Sequence, residues 1–529
     1  MRFLSVNANA FLIEFTSLQD TMAAYRTLQH AQHPYIRELV PAARTILVYF
    51  DPLFINTKTL IKWINAQKIF EGAALNGKEL VIPVRYNGED IEHVADLVGL
   101  SVSELIYKHS QTLWRAAFIG FAPGFAYLVS DEPPFGSIPR LASPRKKITS
   151  GSVGLAGEYS GVYPKDSPGG WQLIGKTDLK MWDVQREQPA LLLPNDQVIF
   201  KDVTHQPTQI SVPNISSFSK KQSTESEAVL RVKKVGLQVL IQDVGRLNMA
   251  KMGVGRAGAM DQTSFQSANL AVGNPQNAAA LEILNGGLVL SILKPTVIAV
   301  TGADTELSVQ YAQEEKVRVP LYQPIALDQG DEVYLAVPNA GVRNYLAVRG
   351  GLVVENILGS ASYDSLAELG ALPLKIGDEL ASAQLKTHSV DLSQSSFAMP
   401  KQSDVIVIDL HLGPRTDWFK TSSLELLFQQ KWLVTTESNR VGLRLQGEHA
   451  LQREIEHELP SEGCSIGALQ IPPNGQPVLF MRDHPITGGY PVIATVAAYH
   501  LDLVAQIPSG SFIQFRKITE FMDIQDHEK

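Results

Sequence analysis

The pattern of apolar and polar positions changes character along the chain. Up to about Pro83, short apolar runs at 11–15 (FLIEF) and 45–50 (TILVYF) alternate with stretches of helical period at 18–30 and 57–70, and the run LVIPVRY follows. Apolar residues every three to four positions bury one helix face, whereas short β-branched and aromatic runs suit strands, so this segment predicts a small α+β unit. IEHVADLVGL and VSELIYKHS then predict two short helices, with Ser101 and Ser103 as candidate caps. From Ala117 to Phe200 the pattern breaks into short β-like runs cut by Gly and Pro, which predicts a barrel or sandwich.

Between 204 and 227 the chain is rich in Ser, Gln, Thr and Lys with few large apolar residues, as a linker requires. Residues 229–380 are again β-like around one helix at 262–272, and a polar stretch at 387–404 precedes a β-rich unit over 405–518. The expected organisation is a domain at 1–86, a second at 87–203, a linker at 204–227, a β-rich domain at 228–400 and a last one at 401–529. Segments 150–177 and 461–496 echo one another: each opens Gly-rich, turns at Pro, and passes through Gly-Gly-aromatic into a β-like run. Two related barrels, one on either side of the linker, are the expectation.

Composition narrows the class. The chain has 529 residues, which suggests three or four domains at roughly 150 residues each. With 46 Lys and Arg against 54 Asp and Glu, the net charge is −8, and only 19% of residues are charged. That balance argues against disorder and against nucleic acid as a partner. The single cysteine, Cys464, excludes an internal disulfide framework and Cys-rich metal sites. Asn7, Asn9 and Glu14 interrupt the apolar N-terminus, so it does not read as a signal peptide. No window of about 18 apolar residues offers a membrane span. A cytoplasmic location with no membrane partner is expected.

Short motif matches fail in context. Gly170 to Thr177 fits the phosphate-loop pattern, but its interior residues WQLI are strand-like where free backbone N–H groups are needed. Gly253-Val-Gly255-Arg-Ala-Gly258 fits a dinucleotide fingerprint but follows a poor strand and opens no βαβ run. Gly463-Cys-Ser465-Ile-Gly467 fits a nucleophile elbow, yet ALQIPP follows where a helix is required. Lys251 in MAKM lacks the small β domain of a biotin carrier, and Pro460 breaks any zinc-protease helix at His457-Glu458.

Longer strings carry more. Phe118-Ile-Gly-Phe121-Ala-Pro123-Gly124-Phe125-Ala-Tyr127, Pro139-Arg140, Pro144-Arg145 and Ser167-Pro-Gly-Gly-Trp171-Gln-Leu-Ile-Gly175 resemble the family of the 5-oxoprolinase B subunit, the Kip kinase inhibitor and allophanate hydrolase subunit 1. After the linker, Gln242-Asp243-Val-Gly245-Arg246, Gly258-Ala-Met-Asp261, Val272-Gly273-Asn274, Ala280-Leu-Glu282, Thr301-Gly-Ala303, Arg343-Asn-Tyr-Leu-Ala-Val, Ser438-Asn439-Arg440, Ser461-Glu462-Gly463 and Thr487-Gly-Gly-Tyr490-Pro491 resemble the 5-oxoprolinase C subunit. That second family includes allophanate hydrolase subunit 2 and the carboxyltransferase part of urea carboxylase. The resemblance covers nearly the whole chain, in the order B then C, and implies a fusion of the two.

The resemblance implies an α+β, mostly β fold: a small ferredoxin-like N-terminal domain followed by cyclophilin-like β barrels. It implies one component of an ATP-dependent cyclic-amide hydrolase that opens 5-oxo-L-proline to L-glutamate, working with a separate 5-oxoprolinase A subunit and with ATP and Mg²⁺ as cofactors. A homo-oligomer is also compatible with it. An unstrained lactam is a poor electrophile, and phosphorylating its amide oxygen would make that oxygen a leaving group. Such a site needs cations, a metal-holding carboxylate and an acid–base group. At matched motif positions, Arg145, Arg246, Arg343, Arg440 and Lys176 are candidates for phosphate or substrate carboxylate, since a guanidinium fork or an ammonium suits either. Asp243, Asp261, Glu462 and Asp483 are candidate catalytic carboxylates, His484 a proton shuttle, and Glu282 a metal ligand. Phe121, Pro123, Phe125, Trp171 and Tyr490 are candidate pocket walls.

Three departures from the family pattern stand out. Asn7-Ala8 replaces Gly-Asp, Tyr159-Ser160 replaces Gln-Thr, and Ala361 stands where the C subunits have Arg. They point to an altered substrate or weakened activity. The alternatives are a carboxyltransferase-like component of a biotin-dependent urea or amide carboxylase, and a non-catalytic binding protein of the kinase-inhibitor type.

Overall fold

The computed structural model of the chain describes residues 1–68, 77–141, 143, 145–206, 227–312 and 314–524. The expected linker lies almost entirely outside them, as do the end of the helical stretch 57–70 and Pro144 of the Pro-Arg motif.

The N-terminal unit is an antiparallel four-stranded sheet in which Arg2–Asn7 pairs with Ala10–Glu14, then Thr45–Phe50, then Ile36–Pro41. Helices Leu18–Ala31 and Thr57–Asn65 cover one face, burying Tyr25, Leu28, Leu60 and Ile64 against Phe11 and Val48. In a ferredoxin-like sheet, the strand after the second helix would lie beside the strand before the first. Here Arg2–Asn7 holds that place. The strand after the second helix, Glu79–Val84, instead pairs parallel with Gln197–Asp202 in the next sheet. Its apolar positions Ile82 and Val84 belong to the next core, so the N-terminal unit ends before that strand and not at residue 86.

That next sheet runs, neighbour by neighbour, Gln172–Lys176, Ser152–Ala156, Tyr159–Val162, Ala126–Val129, Trp114–Ile119, Gln197–Asp202 and Glu79–Val84. Reciprocal backbone bonds between Arg85 and Lys176, of 2.9 and 2.8 Å, join its two ends into a barrel. The phosphate-loop match therefore lies on a barrel strand, its N–H groups paired in a ladder.

Residues 228–381 form a sandwich of a six-stranded and a five-stranded sheet, with the helix Gln262–Ala271 packed on the latter. The C-terminal unit is a closed barrel: Val405–Leu412, Val492–Val496, Ala468–Gln470, Val478–Phe480, Gly442–Gln446, Trp432–Val434 and Phe512–Thr519.

The two barrels match strand for strand, down to the one parallel pair in each (Glu79–Val84 with Gln197–Asp202, Val405–Leu412 with Phe512–Thr519). Each also has a short two-stranded flap, Arg145–Ile148 with Ser167–Gly169 and Glu462–Gly463 with Thr487–Gly488. A shared device fixes the entry to each barrel. The indole N–H of Trp114 donates to the carbonyl of His109 at 3.1 Å, and that of Trp432 to the carbonyl of Leu427 at 3.0 Å. In both, a strand-opening Trp ties back to the helix five residues earlier, so the echo in the sequence is a repeated fold.

The units interlock across the linker. Gly124 N–H donates to the Met252 carbonyl at 2.9 Å and Ala43 N–H to the Ser461 carbonyl at 3.0 Å. Phe121 N–H donates to Thr487 Oγ1 at 3.1 Å. Arg415 bridges Glu462 of the last barrel and Glu14 of the first sheet. Leu4, Leu12 and Leu47 share a core with Ala250 and Ile486. Among the described residues no helix is long and apolar enough to cross a membrane.

Candidate functional site

Where the N-terminal sheet, the segment 246–256 and the last barrel meet, they enclose a cavity of about 530 Å³. The segment reaches it through a tight local fold. Asp243 accepts from the N–H groups of Gly245 (2.8 Å) and Ala361 (2.7 Å) and from the hydroxyls of Ser360 (2.6 Å) and Ser362. Gly245 takes φ +91°, and a Cβ there would meet the carbonyl oxygens of Arg256 and Ala257, so the turn requires glycine. This carboxylate is spent on holding two loops together, a structural duty and not the catalytic one expected of it.

Arg246 is held by that frame. Its Nη2 donates to the Ser362 carbonyl at 2.6 Å and its Nε to the Ile357 carbonyl at 3.1 Å, leaving Nη1 buried without a partner. The residue is 2% exposed, and burial lowers its pKa against the pull of Asp364, Asp243 and Asp483. Arg482, which also lines the cavity, likewise has a buried Nε without a partner. Burial, aided by Arg256, brings its pKa down to about 10. Arg256 lines the same wall. Three guanidiniums thus converge on one cavity, and although the unpartnered nitrogens of Arg246 and Arg482 are themselves sealed from it, the clustered positive charge suits an anion.

His484 supplies the proton-handling group. Its Nδ1 lies 2.8 Å from the Pro485 carbonyl, which only accepts, so Nδ1 carries the hydrogen and Nε2 keeps its lone pair. Burial lowers its pKa to about 4, and its ring stacks on Phe480 at 5.7 Å between centroids. Glu38 faces it from the N-terminal sheet, accepting from Ala250 N–H at 3.0 Å, its pKa raised by burial. Asn7 and Cys464 also belong to the polar lining, the thiol kept protonated by burial. The departure at Asn7 therefore falls on the cavity itself. Ser160, by contrast, is a buried partner of His109 at 2.9 Å, and Ala361 serves the Asp243 turn.

Behind this wall lies a buried ion relay. Arg440 donates to both oxygens of Asp483, at 2.9 and 2.8 Å, and through Nη1 to Glu282. Burial alone would lower the Arg440 pKa, but Asp483 and Glu282 raise it. Asp483 also accepts from Ser365 Oγ at 2.7 Å, and Glu282 from Tyr345 Oη at 2.9 Å and Met260 N–H at 2.8 Å. Asp261 caps the helix Gln262–Ala271 and accepts from Gln506 at 2.8 Å. Burial, with Asp502 nearby, raises its pKa to about 6.

The expected residues thus divide. Arg246 and His484 line the cavity, and Asp483, Arg440, Glu282 and Asp261 form the framework behind it. Arg343 lines a separate cavity with Glu282 and Arg440. Glu462 is bound by Arg415. Arg145 pairs with Asp90 at 2.7 Å, and Lys176 stands exposed on its barrel strand. Phe125 and Trp171 sit in an aromatic core, 5.1 Å apart between centroids, with Phe121 5.3 Å from Phe125 and Pro123 buried in the same loop; Tyr490 is exposed beside Arg453. None of these lines the cavity. Glu282 does not fit the expected metal role, because both its oxygens already hold Arg440, Tyr345 and a backbone N–H. Among the described residues no group of three or more His, Cys, Asp and Glu stands together as a metal site. Sequence reasoning missed Glu38, Arg256 and Arg482 as site residues: Glu38 has no local signal, Arg256 sits inside the Gly253–Gly258 string set aside as a false fingerprint, and Arg482 adjoins Asp483-His484.

Residues 1–192 match the family model for the carboxyltransferase domain, subdomain C and D, and residues 252–517 that for subdomain A and B. The chain is 34% identical over 290 residues to the 5-oxoprolinase C subunit of Escherichia coli K12, spanning 54% of this chain and 90% of that protein. It is 36% identical over 194 residues to the 5-oxoprolinase B subunit of Bacillus subtilis 168, spanning 34% of this chain and 80% of that protein. The crystal structure of the protein TTHA0988 superposes with a TM-score of 0.81 at 30% identity, covering 96% of this chain and 99% of that one.

Proposed function

The chain belongs to the carboxyltransferase-domain family, its C/D portion preceding its A/B portion, and from that premise we propose that it is the B–C component of a 5-oxoprolinase-type system. The observation that carries the reading is the set of three guanidinium groups, Arg246, Arg256 and Arg482, lining one cavity at the junction of the B-like and C-like portions. The substrate 5-oxo-L-proline is a small carboxylate on a neutral ring, and the positive charge of these guanidiniums draws that carboxylate into the cavity.

His484 Nε2, the free lone pair of a neutral imidazole, takes a proton from the attacking water or returns one to the ring nitrogen. Glu38, whose pKa burial raises, lines the same cavity and accepts from the Ala250 N–H. The relay through Asp483 and Arg440 holds this wall in place. ATP supplies, when bound, the phosphoryl group that activates the amide oxygen. In this reading the nucleotide and Mg²⁺ come with a separate partner of the 5-oxoprolinase A type; the phosphate-loop match of this chain is a ladder strand.

The test mixes the purified chain with such a partner, ATP, Mg²⁺ and 5-oxo-L-proline and measures glutamate. ATP-dependent glutamate that falls at least about a hundredfold in Arg246→Gln is expected; no glutamate with a competent partner refutes the reading. The family description itself favours one other reading, carboxyl transfer to an amide. Bicarbonate-dependent turnover with a biotin carrier in the same assay would replace the first with it.

A further inference from the structure

A second cavity, of about 530 Å³, opens between the sandwich and the last barrel, and Arg343 is on its wall. Arg343 lies on the strand Ala340–Val348 and is 7% exposed. Its Nη1 donates to the Ala505 carbonyl, which fixes the guanidinium. Its Nε approaches Glu282 at 3.8 Å, an ion pair too long for a hydrogen bond. Nε and Nη2 have no hydrogen-bond acceptor among the described residues. Neither nitrogen is among the buried atoms sealed off without a partner, so both face the cavity and can be reached by a ligand there.

The nearby carboxylate does not complete it. Glu282 is engaged by Nη1 of Arg440, by Tyr345 and by the Met260 N–H. The remaining walls are mixed: Leu443 and Ile507 are apolar, and Leu237 and Val337 stand exposed at 69% and 67%. We propose that this cavity is a second binding site of the chain, for a small carboxylate with an apolar body, held by the idle N–H groups of Arg343 with its body against Leu443 and Ile507. One oxygen meets Nε and the other Nη2, the side-on fork that guanidinium geometry favours. This site is separate from the Arg246 cavity and does not depend on the reaction proposed for it.

The probe is para-bromobenzoate, titrated calorimetrically into the full-length chain carrying Arg246→Gln, which weakens anion binding in the first cavity, while bromine diffraction separates the two sites. We expect saturable binding, with bromine anomalous diffraction placing the ligand beside Arg343. Affinity should fall at least about tenfold in Arg343→Gln, and para-bromobenzamide should bind at least about tenfold more weakly than the acid. Because Arg343→Gln removes a buried bond and can disturb folding, Val337→Trp, an exposed rim change that narrows the mouth, gives an independent reading and should reduce binding equally. Absence of saturable binding at millimolar ligand, equal affinity for acid and amide, undiminished binding in Val337→Trp, or bromine located elsewhere would each overturn the proposal.

Discussion

Arg440, Asp483 and His484 lie within one buried neighbourhood but respond to substitution in different ways. Asp483 is 1% exposed and takes both forks of Arg440, so Asp483→Ala strands a guanidinium in the interior. Losing one partner of a buried pair costs about 3–5 kcal/mol, so urea denaturation should show a loss of that size, whatever happens to activity. Asp483→Asn, which keeps an acceptor, should lose less. His484 is read through pH. Its folded pKa of about 4 lies below the unfolded value of 6.5, so the fold favours the neutral ring. That contribution is complete above about pH 6.5 and is lost as pH falls towards 4, because the unfolded chain binds the proton first. Asp261 and Asp364, raised to about 6 mainly by burial, work in the opposite sense: their contribution is complete below the ordinary carboxylate range and is lost as pH rises through 6. The clean measurement is therefore the difference between the wild-type chain and His484→Gln. Wild type should lose up to about 3 kcal/mol relative to the variant between pH 6.5 and 4. A pH-independent difference would show that His484 does not titrate as its burial requires.

At the scale of elements, the twin tryptophans explain why two dissimilar sequences close the same barrel. Trp114 and Trp432 are both 1% exposed or less, and each satisfies a carbonyl at the end of the preceding helix. Trp114→Phe and Trp432→Phe each leave that carbonyl buried and unpaired, so each should cost about 1–3 kcal/mol in urea denaturation, and by similar amounts. A large cost in one barrel and none in the other would mean that the shared geometry is incidental. This repeat was legible in the chain, because Gly-Gly-Trp171 and Gly-Gly-Tyr490 lead into the same barrel strand in each copy. The fate of Glu79–Val84 was not legible: its partner Gln197–Asp202 lies more than a hundred residues away, and nothing local tells a strand which sheet it joins. The site was half legible for a related reason. Arg246 and His484 sit within or beside family strings, whereas Glu38 and Arg256 become neighbours only when separate units dock. Residue type alone also cannot separate Arg440, spent on two carboxylates, from Arg246, left with a free N–H.

At the scale of the whole molecule, the cavity exists only because the B-like and C-like portions hold one fixed orientation. Its walls come from both: Asn7, Glu38 and Tyr49 from one, Arg246, Arg482 and His484 from the other. What holds them is a distributed seam. The shared core of Leu4, Leu12, Leu47, Ala250 and Ile486 supplies apolar burial, backbone bonds set the register, and Arg415 is kept charged by Glu462 and Glu14 against the opposing effect of burial. A seam of this kind does not need a covalent link to persist. Joining the portions in one chain raises their effective concentration, which matters most when the interface is weak. A protease site placed within 207–226 separates the two contributions. After cleavage the fragments should co-elute on size exclusion and retain ATP-dependent turnover with the partner, and Arg415→Ala should make them separate at lower dilution, since it leaves Glu462 buried without its cation. Fragments that part on cleavage alone would show that the linker, and not the seam, positions Arg246 opposite Glu38.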